Sequence, residues 1–239
     1  MMIKGGFTTY GEPIGILMLD TKFARPVGDI GNARTFDFPV RYRIVRGASP
    51  DRVVKEGDPR LVEPFIRAGM ELQNEGVKAV TTSCGFLALF QEEIAAALDV
   101  PFFSSSLLQV PLVWRMAGKR GKIGILTVRK ASLSPDHFRA VGMEGIPLVI
   151  EGMDGSEEFS RVFMNCSRDP GDQSLDLEFD RAAEEMRRAA ESLKDRDPDL
   201  RAIVMECTNM PPFRGVVQKA TGLPVFDIVT LTRFVYSSL

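Results

Sequence analysis

The stretch Met205-Glu206-Cys207-Thr208-Asn209-Met210-Pro211-Pro212 decides the fold, because an earlier segment, Thr81-Thr82-Ser83-Cys84-Gly85-Phe86, answers it. Each cysteine closes an apolar, β-branched run that reads as a buried strand, residues 77–81 in one case and 202–205 in the other. Each is followed by a helical stretch and a second short strand. Cys84 stands 17 positions before Pro101 in Asp99-Val100-Pro101-Phe102-Phe103. Cys207 stands 17 positions before Pro224 in Gly222-Leu223-Pro224-Val225-Phe226. Two cysteines at one place in two copies of a supersecondary unit predict a facing pair.

The copies extend outward. Pro13-Ile14-Gly15-Ile16-Leu17-Met18-Leu19 reads as a first strand buried on both faces, since it barely alternates. Lys122-Ile123-Gly124-Ile125-Leu126 echoes it, with Gly124 lying 109 positions after Gly15. The cysteines are 123 positions apart, so the second copy carries 14 more residues, expected within 152–174. Residues 40–45 alternate and predict a second strand. Asp58 as N-cap and Pro59 at the first helical position open a helix that Gly76 stops. Helices are expected over 88–98, over 107–117 and between Ser134-Pro135 and Gly142, with a strand at 146–150. Leu175, Phe179, Ala182, Met186, Ala189 and Leu193 form the apolar stripe of a long helix. Residues 22–39 lack helical period, and a connection of that length is usually functional, so it is expected over the pocket as a lid or wall.

Alternating strands and helices argue an α/β protein with parallel sheets covered on both faces. The expectation is two tandem, pseudo-symmetric, doubly wound lobes, each with a mainly parallel sheet of about four strands. The first lobe would span 1–105, with 227–239 packing back onto it, and the second 106–226. Ligands in such sheets sit beyond the carboxyl ends of the strands, where both cysteines fall.

Composition narrows the class. The chain has 239 residues, 44% hydrophobic and 26% charged, with net charge −2 and scattered Lys and Arg. That speaks against nucleic acid or an anionic membrane as partner. No early apolar run has signal-peptide or membrane-spanning length. Three distant cysteines make no disulfide framework or Cys-x-x-Cys site, and His137 is the sole histidine. A cytoplasmic enzyme with free thiols is the expectation.

A cysteine at a strand end, where the next residues open a helix, faces unpaired backbone N–H groups, which lower a thiol pKa and bind anions. Cys84 and Cys207 across one cleft would provide a thiolate base and a thiol acid. Racemisation beside a carboxylate needs that pair, and the N–H groups could hold the enolate-like charge. No metal or organic cofactor is required, and no site for either is legible. A lone free cysteine on an apolar strand usually just fills space. Matched placement amid Thr, Ser and Asn argues otherwise. Cys166, in Met164-Asn165-Cys166-Ser167, has no counterpart and reads as incidental.

Thr82-Ser83-Cys84-Gly85 and Glu206-Cys207-Thr208-Asn209, with the tandem layout, resemble the aspartate/glutamate/hydantoin racemase superfamily of cofactor-independent two-cysteine racemases and relatives. The resemblance covers nearly the whole chain and implies lobes related by a pseudo-twofold, with Cys84 and Cys207 as the acid/base residues. It implies that Asp20 and Thr21, after the first strand, lie near the pocket. Ser83, Gly85, Thr208 and Asn209 would complete the substrate-binding set. Amino-acid racemases usually have Asn-Thr after the first cysteine, where Gly85-Phe86 stand, and Glu or His where Asn209 stands. Those departures weigh against free aspartate or glutamate, and Phe86 implies a less polar pocket. A homodimer is expected by analogy with the family.

Arg41, beside Tyr42 on the second strand, is a candidate carboxylate holder. Arg129 falls opposite Asp20 in the repeat and is a candidate anion clamp, with a surface ion pair as the alternative. His137 is expected at the surface or satisfied. The function expected is a cofactor-independent racemase or isomerase of a small carboxylate or hydantoin-like compound. The alternatives are maleate-type cis-trans isomerisation, a non-catalytic small-acid binding protein and a redox pair. Decarboxylation is less favoured, since those relatives usually keep only one thiol.

Overall fold

The computed structural model describes residue 2 and residues 5–239. Two four-stranded parallel sheets organise the molecule. The first runs in the order β2 (Val40–Val45), β1 (Ile14–Leu19), β3 (Ala79–Thr82), β4 (Phe102–Phe103). The second runs β6 (Leu148–Gly152), β5 (Lys122–Thr127), β7 (Leu200–Met205), β8 (Val225–Phe226). Every neighbouring pair is parallel, and the two orders are the same. β1 and β3 are buried along their whole length, as strands covered on both faces must be.

Helices cover both faces. α1 (Val62–Asn74) follows a 3-10 turn capped by the Asp58 side chain, which accepts from the Arg60 N–H. α6 (Phe179–Arg196) is its counterpart in the second sheet. The repeat is visible in the two glycines. A Cβ at Gly15 would lie 2.9 Å from Leu72 Cδ1 on α1, and one at Gly124 would lie 2.7 Å from Leu193 Cδ2 on α6. Each glycine lets its helix pack onto the central strand and bury a leucine, a contribution of about 2 kcal/mol apiece.

The remaining helices are short: α2 (Gln91–Ala97), α3 (Val110–Met116), α4 (Pro135–Ala140), α5 (Glu158–Phe163), α7 (Arg214–Thr221) and α8 (Ile228–Tyr236). The segments predicted as helix at 88–98 and 107–117 both begin as 3-10 turns. The long helix starts at Phe179 rather than near Leu175, which lies in a separate turn. The inserted segment contains α5, whose Phe159, Val162 and Phe163 are buried. Its apolar residues were hidden in a polar stretch.

Each sheet receives an element from the far end of the other unit. Ile228, Val229 and Leu231 of α8 pack with Ile14, Ile16, Met18 and Phe103. Leu107, Val110 and Val113 pack with Ile123, Ile125 and Val204. These crossings bring the carboxyl ends of the sheets face to face. Among the described residues no helix is long and apolar enough to cross a membrane.

Candidate active site

β3 and β7 each gain one further ladder bond before their cysteine. The Ser83 N–H donates to Leu17 O at 2.8 Å, and the Glu206 N–H donates to Leu126 O at 2.7 Å. Cys84 and Cys207 therefore leave equivalent sheet edges, and they line one hollow. The two loops touch directly. Thr208 Oγ1 donates to Ser83 O at 2.6 Å, and a Cβ at Gly85 would stand 2.2 Å from Glu206 O. Only glycine admits that approach.

The hollow is also lined by Leu19, Phe23, Arg25, Val54, Ser83, Gly85, Phe86, Val128, Phe163, Met164, Glu206, Thr208 and Asn209. About 350 Å³ lies between the wall atoms, of which about 20 Å³ admits the centre of a water molecule. That is room for about one water, so a substrate must part the walls. Phe23, from the loop after β1, meets Phe163 of α5 edge-on with ring centroids 5.3 Å apart. A wider groove of about 490 Å³ lies over Glu151, Ser156, Arg181 and Glu185, but it is an open surface and neither cysteine of the repeat lines it.

The polar network of the site begins in the loop after β1. Arg25 Nη1 donates to Asp29 Oδ1 at 2.7 Å, and Nη2 donates to Thr21 Oγ1 at 3.0 Å. Asp29 is wholly buried and its Oδ2 accepts from Asn209 Nδ2 at 2.7 Å. Asn209 Oδ1 in turn accepts from the Cys207 thiol at 3.6 Å. One chain of contacts thus joins the loop of the first unit to the second cysteine.

Both thiols are free and buried. Their pKa values are not lowered, as the strand-end argument predicts, but raised. Burial and then the charge of Glu206 push Cys84 up, against the Phe86 and Leu87 N–H groups and Arg25. Burial and Glu206 also push Cys207 well up, opposed by the Asn209 N–H and reinforced by Cys84 and Asp29. In the closed, water-poor hollow the desolvation cost of a thiolate exceeds what a few backbone donors return. Burial likewise raises the Glu206 carboxyl to about 8, while Thr127 and the Val128 N–H favour its charged form. Thr127 Oγ1 donates to Glu206 Oε2 at 2.7 Å, and among the described residues Oε1 has no partner.

Ser83, Gly85, Thr208 and Asn209 line the hollow with the cysteines. Arg41 does not. It pairs with Glu75 at 2.8 Å and with Glu12, near the amino end of β2, whereas the hollow lies beyond the carboxyl ends. Asp20 sits at the end of β1 but turns to Arg168 at 3.0 Å and is not a wall residue. Thr21 stands one contact behind Arg25. Tyr42 donates to Ile30 O, and Arg129 is exposed outside the hollow. His137 is buried rather than at the surface. Its Nδ1 meets the Ser134 hydroxyl at 2.8 Å, its ring packs edge-on to Phe86, and burial lowers its pKa. Cys166 is exposed on the inserted segment. Arg25, Asp29, Glu206 and Phe163 were not singled out from the sequence. Glu206 alone carried a local signal, as a charge closing an apolar strand. Among the described residues no cluster of three or more His, Cys, Asp or Glu could hold a metal ion.

The model of the Asp/Glu/Hydantoin racemase family matches residues 71–232. The chain belongs to this family. Among sequence relatives, a dimethylsulfoniopropionate lyase of Durusdinium sp. clade D is 33% identical over 229 residues, covering 92% of this chain and 73% of that protein. Dimethylsulfoniopropionate lyase 7 of Emiliania huxleyi (strain CCMP1516) is 30% identical, covering 91% of this chain and 64% of the relative. Among solved structures, unliganded arylmalonate decarboxylase aligns with a TM-score of 0.59 at 12% identity, over 95% of this chain and 92% of that one. A glutamate racemase from Bacillus anthracis aligns with a TM-score of 0.58 at 16% identity, over 95% and 80%. At such identities the structural likeness carries the fold alone. The racemase-family fold and the α/β architecture expected from the sequence are those found.

Proposed function

We propose that this protein is a cofactor-independent carbon-acid enzyme, in which a thiol removes the proton α to a carboxylate and a β-leaving group departs. The observation that carries the reading is the pair Cys84 and Cys207, from equivalent sheet ends, lining one enclosed hollow. The choice of elimination rests on the relatives named for dimethylsulfoniopropionate, a propionate with a dimethylsulfonio group on its third carbon.

The chemistry balances without a co-reactant. A thiolate takes the α-proton, the C–H electron pair forms the C=C bond, and the C–S pair leaves on sulfur. The products are acrylate and dimethyl sulfide, and the new thiol returns its proton to water. The site suits such a substrate. Phe86, Phe163 and Met164 offer an apolar, polarisable wall to the sulfonium methyls. Arg25 offers a cation to the carboxylate. A bound sulfonium also brings positive charge beside two thiols that burial holds protonated, which favours the thiolate.

Racemisation of a small carboxylate is the second reading, favoured by the presence of both thiols, since inversion needs an acid and a base on opposite faces. Incubation with dimethylsulfoniopropionate in deuterium oxide separates the two. Release of dimethyl sulfide and acrylate establishes elimination. Deuterium washed into the α-carbon of chiral amino acids or hydantoins, with no dimethyl sulfide, establishes racemisation.

A further inference from the structure

Ser83 and Glu206 occupy equivalent positions, one residue before each cysteine, and a small hydroxyl suffices at the first. Ser83 Oγ accepts from the Leu19 N–H at 2.8 Å. At the second position the Val128 N–H faces a carboxyl that brings one oxygen more than this strand-end contact uses. Glu206 is wholly buried, and Oε2 accepts from the Thr127 hydroxyl. Oε1 has no partner. It lies against Gly85, where a Cβ would stand 2.3 Å from it, and its side chain lines the hollow that both thiols share. Among the described residues, it is the unpartnered buried polar atom whose side chain lines the hollow.

A buried carboxylate with an unmade hydrogen bond costs more than a neutral acid with one free O–H awaiting an acceptor. The Thr127 hydroxyl pairs with Oε2, which leaves Oε1 as the oxygen free to present a proton to a bound ligand. We propose that Glu206 is a carboxylic-acid hydrogen-bond donor, held protonated so that its Oε1–H engages the carboxylate of the bound substrate and the enediolate formed when a thiol takes the α-proton. The inference rests on the carbon-acid reading above, and it holds for elimination and racemisation alike. The electronic logic is that of a neutral acid in an apolar site stabilising developing oxyanion charge. The surroundings agree. The titratable and charged groups facing the site are the two thiols, the Arg25–Asp29 pair of the loop after β1, and His137 behind Phe86. Among the described residues no cation pairs with Glu206, and burial raises its pKa to about 8. Its neutrality also removes the repulsion that the charged form exerts on both thiols.

The test uses the full chain with ¹³C-carboxyl-labelled glutamate and sodium propionate as the probe. One glutamate carboxyl is expected to titrate near pH 8, to vanish from the spectrum of Glu206→Gln, and to shift upward when propionate binds. A structural carboxyl would titrate unmoved by propionate. In steady-state assays Glu206→Met is expected to lower kcat by roughly 10²- to 10³-fold, the usual loss for one oxyanion donor. Glu206→Gln, which keeps an N–H donor, should retain activity within about 10-fold and lose the alkaline fall of the wild-type pH profile. A Glu206 carboxyl ionised at pH 7, a titration indifferent to propionate, or a fully active Glu206→Met overturns the proposal. If the variants fail to fold, the wild-type titration decides alone. Failure of the carbon-acid reading is distinguishable, because it would show as absent turnover with the propionate-linked titration intact.

Discussion

The two cysteine loops hold the same place in two like sheets and differ in what surrounds each thiol. Ser83-Cys84-Gly85 presents a small hydroxyl, a thiol and a glycine; Glu206-Cys207-Thr208 presents a buried acid, a thiol and a hydroxyl that bridges to the first loop. The Cys84 sulfur meets the Phe86 and Leu87 N–H groups and the field of Arg25, all of which favour its thiolate. Cys207 meets one such N–H, donates to Asn209, and feels the repulsion of Cys84 and Asp29. On the proposed function, that contrast makes Cys84 the expected base and Cys207 the expected acid.

The largest test of that asymmetry removes each sulfur. Cys84→Ser and Cys207→Ser should each lower kcat/KM by at least about 10²-fold, since a positioned acid or base contributes 10² to 10⁴. Equal losses in racemisation would fit a two-base exchange. In elimination, the deeper loss should fall on Cys84→Ser. Iodoacetamide labelling in a Cys166→Ser background should modify Cys84 at lower pH than Cys207, and the reverse order would break the comparison.

A second test is the contact between the loops. Gly85→Ala places a Cβ 2.2 Å from Glu206 O, so the loops must separate. Urea denaturation should show a loss of roughly 1–3 kcal/mol. Thr208→Val, which deletes the 2.6 Å bond to Ser83 O, should cost about 1 kcal/mol.

Stability against pH sharpens the contrast between Ser83 and Glu206. A carboxyl whose folded pKa, about 8, exceeds its unfolded value near 4.5 keeps its proton longer in the folded state. Its penalty is absent below pH 4.5, grows by about 1.4 kcal/mol per pH unit above it, and levels off near pH 8. Glu206→Gln should therefore unfold at higher urea than wild type at pH 8.5 and at about the same urea at pH 4.5. A constant difference across that range would remove the carboxyl's titration as its cause.

The smallest effect is expected outside both loops. Arg41→Ala should leave kcat and KM unchanged and barely move the urea midpoint, since its partners Glu12 and Glu75 are partly exposed and the pairing is screened by water.

Much of this was legible before any coordinates. Gly15 and Gly124, 109 positions apart, announced the repeat, and both let a helix close on a central strand. Asp58-Pro59 announced α1 through its cap. The cysteine motifs announced where the site would lie, because chain periodicity and strand-end position are local properties. Arg25 and Asp29 were illegible because nothing local tells which residue of an irregular loop turns inward; their partners, Asn209 among them, lie up to 180 positions away. Arg41 misled for the converse reason, since a strand pattern does not say which end of the sheet holds the ligand side chains.

The sequence by itself determined the twofold α/β plan and the strand-end address of each cysteine, because hydrophobic period, caps and tight glycines act over a few residues. Only the tertiary structure decided the electrostatics of the site. Burial raised thiols that local N–H groups would have lowered, and it raised the Glu206 carboxyl to about 8, because desolvation depends on everything packed around a group rather than on its neighbours in the chain.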